Sequence, residues 1–398
     1  MLRGIIRRKE KLVPSSAIAT ISGVFGTRVG NLPDSSCMTL HADAALGAIA
    51  DAGLTVRDID GVLCAYSLAE PHLMLSSFVC EYLGLKPKVN LAVLVGGATA
   101  CIMTMEAASL IASRTCRHVL VVTGDNRLSG LSRDGAVRAL ADVGHPQFER
   151  PFGVTVPAAY ALVAARYMRE YGITSEQLAS FAVAMRRHAA RHPNSQMKDP
   201  ITLEDVAASK MIASPLRMLD CCLISDGGAA MVLSAPETAR DLPHHAVGII
   251  GMGQGHTHEH ITWAPSLTDF GCKQSSALAF AQAGVTKKDI DVAEIYDSFT
   301  VTLAVELESI GFFERGEAGV AALAGALDLG GRLPCNTHGG LLSHGSPGAP
   351  GGMYHAIECV QQLRGDAGPR QVQDAKVGFV HGDGGILSAH CSMVMARV

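Results

Sequence analysis

The chain repeats itself. Ala50-Asp-Ala-Gly53-Leu-Thr55-Val-Arg-Asp58-Ile59-Asp60 returns 231 residues later as Ala281-Gln-Ala-Gly284-Val-Thr286-Lys-Lys-Asp289-Ile290-Asp291. Val119-Leu-Val-Val-Thr-Gly124-Asp125 is echoed by Val377-Gly-Phe-Val-His-Gly382-Asp383, and Gly96-Gly97 by Gly339-Gly340. Three matches in one order imply a duplicated unit. Apolar stretches at Ala17–Phe25, Gly61–Ala65, Val89–Val95 and Arg117–Asp125 predict strands, the last covered on both faces. Helices are expected at Thr39–Ala52, at Pro71–Leu83 (opened by its proline) and at Ala98–Ser113. Alternating strands and helices give mixed or parallel sheets with helices outside. The site then belongs where strand ends from the two halves meet.

The echo sets the boundaries. Residues 1–14 form a basic N-terminal extension without the apolar core of a secretory signal. Residues 15–242 form the first half and 243–398 the second, with Pro243 at the junction. About 127–222 interrupts the first half as a helical insertion. Its helices are expected at Ala158–Glu170, Ser175–His192 and Leu203–Ser209, two of them behind the start signals Thr174-Ser-Glu-Gln177 and Thr202-Leu-Glu-Asp205. Hydrophobic residues make up 48% and charged residues 18%, enough for a large α/β core. A net charge of −4 without a basic block excludes a nucleic-acid or membrane-surface footprint, and no apolar run reaches membrane-span length. Eleven irregularly spaced cysteines without a Cys-x-x-Cys pair read as free thiols in a reducing cytoplasm. No zinc or other metal site is expected.

Four loops fall at equivalent strand ends. The first, Leu94-Val95-Gly96-Gly97, has the strand–turn–helix form of a nucleophile elbow, with helix N–H groups suited to an anion. Nothing at this turn can attack a carbon, and Cys101 lies about one helical turn further on. The second loop is Glu294-Ile-Tyr296-Asp297-Ser298-Phe299. Its tyrosine offers an O–H donor, or a base if its pKa is lowered. The third is Asn336-Thr-His338-Gly339-Gly340-Leu-Leu-Ser343-His344-Gly345-Ser346-Pro347-Gly348, crowded with proton-exchanging and close-approach residues. The fourth, Val380-His381-Gly382-Asp383-Gly384-Gly385, is a turn or an N–H nest for an oxyanion. Three other motifs carry less. Gly251-Met-Gly253-Gln-Gly255 lacks the helix a dinucleotide loop needs. His256-Thr-His258-Glu-His260 reads as an exposed polar loop rather than a metal site. Arg186-Arg187-His188 and Arg191 suit phosphates or a solvated helix face equally.

With these loops in place the chain resembles the thiolase superfamily, closest to its sterol-carrier and lipid-transfer-protein branch, from about residue 17 to 398. Asn336-Thr-His-Gly-Gly340 with Gly345-Ser-Pro347, Tyr296-Asp-Ser-Phe299 and the insertion carry the resemblance. It implies duplicated α/β halves in a layered αβαβα fold, the insertion being the thiolase loop domain. It also implies a tunnel for a CoA thioester, CoA entering as part of the substrate without a tightly bound cofactor, and a homodimer paired through an edge strand. The departures are as informative. Leu94 stands where the family carries its acyl-accepting cysteine, and Gly345-Ser346-Pro347 where it has Gly-His-Pro. Tyr296-Asp-Ser-Phe299 replaces Asn-Glu-Ala-Phe or His-Asp-Cys-Phe, and His381-Gly-Asp383 replaces Cys-x-Gly. Acyl transfer through a cysteine thioester should be absent or very slow.

A subgroup of this kind resembles the thiolase-like aldolases of sterol side-chain breakdown, which work with a small zinc-ribbon/OB-fold partner. The leading expectation is retro-aldol cleavage of a β-hydroxyacyl-CoA, a reaction without a nucleophile. Tyr296 and His344 are the expected acid/base pair, with Ser346 and His338 as supporting donors. Leu94, Val95, Gly96, His381 and Gly384 would form the oxyanion and substrate wall. The alternatives are an acyltransferase or thiolase using another cysteine such as Cys101, and a non-catalytic subunit that binds acyl-CoA or scaffolds a partner.

Overall fold

The structure, a computed structural model, describes residues 17–132, 134–135, 143–241 and 243–398. The N-terminal extension expected at 1–14 lies outside the described residues, as does part of the insertion. The first half carries β1 (Ala19–Gly26), α1 (Cys37–Asp51), β2 (Gly61–Ala65), α2 (Leu75–Leu83), β3 (Val89–Val93), α3 (Thr99–Ala112) and β4 (His118–Asn126). Next come α4 (Val156–Tyr171), α5 (Ser175–Ala189), α6 (Leu203–Ala208), the short hairpin β5 (Met211–Ala213) and β6 (Leu216–Arg217), and then β7 (Asp226–Ser234). The second half has β8 (Val247–His256), α7 (Cys272–Ala283), β9 (Val292–Ile295), α8 (Thr300–Ile310), α9 (Ala318–Leu323), α10 (Ala349–Arg364), β10 (Val377–Gly384) and β11 (Ala389–Arg397). Pro71 does not open α2, which begins four residues later at Leu75.

The duplication is built into the sheet. Nine strands run in the order β3-β2-β4-β7-β1-β8-β11-β10-β9. Reading inward from each edge, β2-β4-β7-β1 mirrors β9-β10-β11-β8. In each half the first pair is parallel and the next two are antiparallel. Within the sheet the halves meet at the short β1–β8 pairing of Ala19–Ile21. The local chemistry repeats as well. Thr55 donates its N–H and Oγ1–H to Asp58 Oδ2 at 2.8 and 2.7 Å, and Thr286 does the same to Asp289 at the same distances. Gly23 on β1 lets α1 lie flush on the sheet, since a Cβ there would overlap the Ala48 carbonyl and sit 2.8 Å from Ala52 Cβ. Gly251 on β8 plays the same part against Ala279 and Ala283 of α7, so the glycines of Gly251-Met-Gly253-Gln-Gly255 are strand residues required by helix packing.

Layers follow from which faces the helices cover. α1 packs on the outer face of β1, β4 and β7, and α7 on the outer face of β8 and β11. Between the two halves, α3 and α10 pack on each other and on strands of both, giving αβαβα. α3 buries Thr99–Met105 without a break, which is why its sequence is apolar all round rather than striped. The insertion helices α4 and α5 close over α8, with Tyr160, Tyr167, Phe181 and Met185 in the largest core cluster. No helix among the described residues is long and apolar enough to cross a membrane.

Candidate active site

The first loop turns tightly into α3. Gly96 takes φ +55°, a left-handed value that favours glycine. Thr99 ties the turn by donating from Oγ1 to the Gly96 carbonyl at 2.6 Å, while the same oxygen accepts the Val95 N–H at 2.9 Å. The Val95 N–H is therefore spent on its own turn and is not a free oxyanion donor, contrary to the sequence expectation. Leu94 is 69% exposed, so among the described residues it does not form the buried wall expected from the sequence.

The second and fourth loops close on that turn. Tyr296 follows β9, and its N–H donates to the His381 carbonyl at 3.0 Å. Its ring reaches across to Gly97, where any Cβ would overlap the tyrosine hydroxyl and Cζ as well as the Asp383 carbonyl. Gly97 is thus the residue that makes room for the hydroxyl of Tyr296 at the start of α3. From the fourth loop, Gly384 packs directly on the Val95 carbonyl, and Gly385 N lies 2.8 Å from where a Cβ on Gly96 would stand. His381 does not join them. Strand side chains alternate, and His381 shares the outer face of β10 with Phe379, while Gly382 faces Cys101 of α3. The outer face turns the His381 imidazole to Ser392 at 2.8 Å and His390 at 3.1 Å, away from the Gly96-Gly97 turn.

The third loop is anchored by its first residues. Asn336, at φ +51°, pairs both ends of its amide with the Ile295 backbone at 2.7 Å, which fixes the loop to β9. Thr337 donates from N and Oγ1 to Glu294 at 3.0 Å each. Asp297 accepts the Leu341 N–H at 2.7 Å and sets the π-helical turn Gly340–His344. Behind the loop, Arg370 forks onto Glu358, which also accepts from Thr337. Ser346 donates its N–H to Ser225 Oγ at 2.9 Å, and its hydroxyl bonds the Cys222 thiol.

A string of buried rings runs through this loop. Tyr296 lies 6.2 Å from His355 between ring centres, His355 lies 4.8 Å from His338, and His338 lies 5.1 Å from His344. The structure thus brings Tyr296 and His344 into one cluster but not into contact, with His355 and His338 linking them. His344 also meets His192 and Tyr354 and exchanges a hydrogen bond through Nδ1 with Ser195 Oγ at 3.0 Å.

Electrostatics divides these groups. Burial pushes the Tyr296 hydroxyl well above its ordinary range, and Cys222, Asp383 and Tyr66 add to the rise while Arg127 opposes it. Burial, then the neighbouring His338 and His192, push His344 well below its ordinary value. Near neutral pH Tyr296 is therefore a protonated donor and His344 an uncharged proton acceptor. His355 goes the other way. Burial would lower it, but Asp297 and Glu294, 3.4 and 3.6 Å from its two nitrogens, hold it up at about 9.

Tyr66, Arg127, Cys222 and His355 surround Tyr296 yet were absent from the sequence reading. Arg127 directly follows β4, and the ends of parallel strands are where ligand-facing residues gather, so it had a usable signal. Tyr66 directly follows the parallel strand β2 and had the same signal, whereas Cys222 comes from a segment with no motif. His355 sits inside an ordinary-looking helix. Cys101 is 1% exposed, with its sulfur against Gly382 rather than at the turn. Two buried groups among the described residues have donors suited to a metal ion: Glu294 with His338 and His355, and Glu306 with His381 and His390. The surface histidines 256, 258 and 260 form no such group among the described residues.

Family models match both halves of the chain. "Thiolase, N-terminal domain" covers residues 17–237 and "Thiolase C-terminal domain-like" covers 253–397. An "Acetyl-CoA acetyltransferase" of Methanothermobacter thermautotrophicus is 33% identical over 93% of this chain and 98% of its own. A "Steroid side-chain-cleaving aldolase" of Thermomonospora curvata is 37% identical over 86% of this chain and 90% of its own. Among solved structures, the "Ltp2-ChsH2(DUF35) aldolase" superposes with a TM-score of 0.85 at 34% identity, covering 97% of this chain and 99% of that one.

Proposed function

We propose, from the premise that this chain belongs to the thiolase family, that it is an acyl-CoA carbon–carbon lyase. Its reaction is retro-aldol cleavage of a β-hydroxyacyl-CoA of the lipid or sterol side-chain type. The observation that carries this is the turn before α3. Where the family's acyl-accepting cysteine is expected stands Leu94, and the space over Gly97 is filled by the Tyr296 hydroxyl. The similarity to a side-chain-cleaving aldolase and to the aldolase complex supports it.

The chemistry needs a base, an enolate holder and an acid. His344, neutral at physiological pH, takes the β-hydroxyl proton. The oxygen's electron pair forms the carbonyl of the departing ketone or aldehyde, and the Cα–Cβ bond breaks. Its electrons pass into the thioester as an enolate, held by Tyr296 O–H and backbone N–H groups of the Gly96-Gly97 and Gly384-Gly385 turns. The proton taken by His344 is then returned to Cα, which restores the neutral imidazole and releases the shorter acyl-CoA. Ser346 and His338 support these groups. CoA enters as part of the substrate.

The enzyme works as a homodimer. β3 is an edge strand paired on one side only, and Leu91 on it and Leu94 directly after it are 45% and 69% exposed. A second copy laid along β3 would cover Leu94 and turn it into the apolar wall of the cleft. A small zinc-ribbon/OB-fold protein is the second partner, in keeping with the DUF35 component named with the solved neighbour. Eleven free cysteines suit a cytoplasmic location.

The test is a panel of β-hydroxyacyl-CoAs, assayed for released ketone or aldehyde with and without the partner. Tyr296→Phe and His344→Ala should each lower turnover by about 10²–10⁴-fold; full activity in both contradicts the assignment. The acetyltransferase relative favours a second reading, acyl transfer from another thiol. Burial raises the Cys222 thiol, against the pull of Ser346 and Arg127, which makes it a poor nucleophile. An acyl-cysteine adduct trapped with labelled acetyl-CoA would support that reading, and its absence would dismiss it. Tight acyl-CoA binding without turnover in either assay would identify a non-catalytic subunit.

A further inference from the structure

Behind the fourth loop, on the face of β10 turned away from the cleft, lies a group of side chains that the lyase chemistry does not use. Glu306 comes from α8, His381 from β10 and His390 from β11, and all three are 0% exposed. His381 Nε2 stands 3.1 Å from His390 Nδ1. Glu306 Oε1 lies 3.6 Å from the first nitrogen and 3.8 Å from the second.

We propose that Glu306, His381 and His390 bind one divalent transition-metal ion, zinc being the best fit. Ligands about 2.0–2.1 Å from a tetrahedral ion stand roughly 3.3 Å apart. The three observed separations bracket that spacing, so adjustments of a few tenths of an ångström bring these three donors onto the ion, its fourth position being left to a water molecule. Two imidazoles and a carboxylate are a donor set that zinc accepts.

The outer nitrogens are already held as metal-binding histidines hold theirs. His390 Nε2 lies 3.0 Å from the Leu387 carbonyl and can only donate to it, so the Nδ1 lone pair of the neutral ring points inward. His381 Nδ1 pairs with Ser392 Oγ at 2.8 Å, and that hydroxyl is tied to Ser275 Oγ at 2.9 Å. These contacts orient both rings with a nitrogen facing the centre.

A proton shared between the two histidines would satisfy the rings but leave the acid unexplained. Both carboxyl oxygens of Glu306 are buried without a hydrogen-bond partner, and no lysine or arginine is paired with it among the described residues. A further acidic neighbour, Asp383, brings no compensating positive charge. An isolated buried carboxyl without a donor is costly, and a divalent cation supplies what is missing. The ion would tie α8, which leads out of the Tyr296–Phe299 loop, to the β10–β11 hairpin that carries Gly384. His381 also accepts the Tyr296 N–H through its carbonyl. The metal would be a structural rivet directly behind the reacting groups, with no part in the bond cleavage.

The experiment is metal analysis of the full chain, purified from cultures supplemented separately with zinc, cobalt, manganese and iron, and dialysed. The expected result is about one equivalent of bound metal per chain, with the d–d absorption of a low-symmetry site in the cobalt form. Glu306→Gln and His390→Asn should each lower the content at least about five-fold. Less than about 0.1 equivalent in the unmodified chain from all four cultures overturns the proposal, and that result does not depend on either variant folding. So does a full equivalent that both folded variants retain, which places the ion elsewhere.

Discussion

Replacing Gly97 by alanine tests whether the site depends on Tyr296 reaching the turn before α3. The new methyl would overlap three atoms: the Tyr296 hydroxyl oxygen, its Cζ and the Asp383 carbonyl oxygen. To regain ordinary van der Waals separation the tyrosine ring must retreat by more than about 1 Å. The carbonyl has little freedom, because Asp383 is held in the β10–β11 ladder opposite His390. Overpacking of this kind costs about 1–3 kcal/mol, and the fixed backbone atom puts the cost near about 3. For a chain of this length that lowers Tm by roughly 4 °C. Activity should suffer more than stability, since a displacement of about 1 Å at a reacting group costs about 10²-fold in turnover. The assay is steady-state cleavage of a β-hydroxyacyl-CoA beside a denaturation curve. Gly330→Ala, which meets open space, serves as the control and should change neither. In the background of Tyr296→Phe, adding Gly97→Ala should cost little further activity, because the reacting hydroxyl is already gone even though the ring and the Asp383 carbonyl still give way. A Gly97→Ala enzyme with wild-type kcat, or one whose loss simply adds to that of Tyr296→Phe, refutes the placement.

Three other outcomes follow from the same geometry. His355, held at about 9 against roughly 6.5 when unfolded, stabilises fully below pH 6.5 and loses that contribution as pH rises through 9. Urea midpoints between pH 6 and 10 should show the wild type losing about 3 kcal/mol that His355→Asn never had; parallel curves would count against the buried imidazolium. Arg370→Met strands the 2%-exposed Glu358 carboxylate and should cost about 3–5 kcal/mol, with Glu358→Leu added to it restoring most of the loss in the same denaturation assay. Leu91→Lys on the edge strand β3 should convert a dimer to a monomer in sedimentation at micromolar concentration, and an unchanged species would remove β3 from the interface.

The duplication was legible because it is written in short-range chemistry. Thr55 with Asp58 and Thr286 with Asp289 cap the same turn at the same distances, and Gly23 and Gly251 clear the same helix contact. Such residues are dictated by their own neighbourhood, so they survive as a pattern in the chain. The convergence of Gly96-Gly97, Tyr296 and Gly384 was legible for a related reason, since equivalent loops of a duplicated unit must meet. What escaped depended on facing and on competition for hydrogen bonds. His381 lies in the expected loop, but strand alternation turns its ring to the far side of the sheet. The Val95 N–H is in the expected place, but Thr99 takes it. Leu94 is in the expected turn, but its side chain lies on the surface. His355 and Arg127 gain their meaning from charges that are distant in sequence and adjacent in space.

In the proposed reaction the bond broken is Cα–Cβ and the electrons rest in a thioester enolate. Cleavage of a β-hydroxyacyl-CoA in D₂O, with the products read by mass spectrometry, addresses it directly. Retro-aldol cleavage predicts a ketone or aldehyde and a shorter acyl-CoA carrying one deuterium at Cα, with no requirement for free CoA. A cleavage that requires free CoA and passes through an acyl-cysteine, or a shorter acyl-CoA without that deuterium, would contradict it.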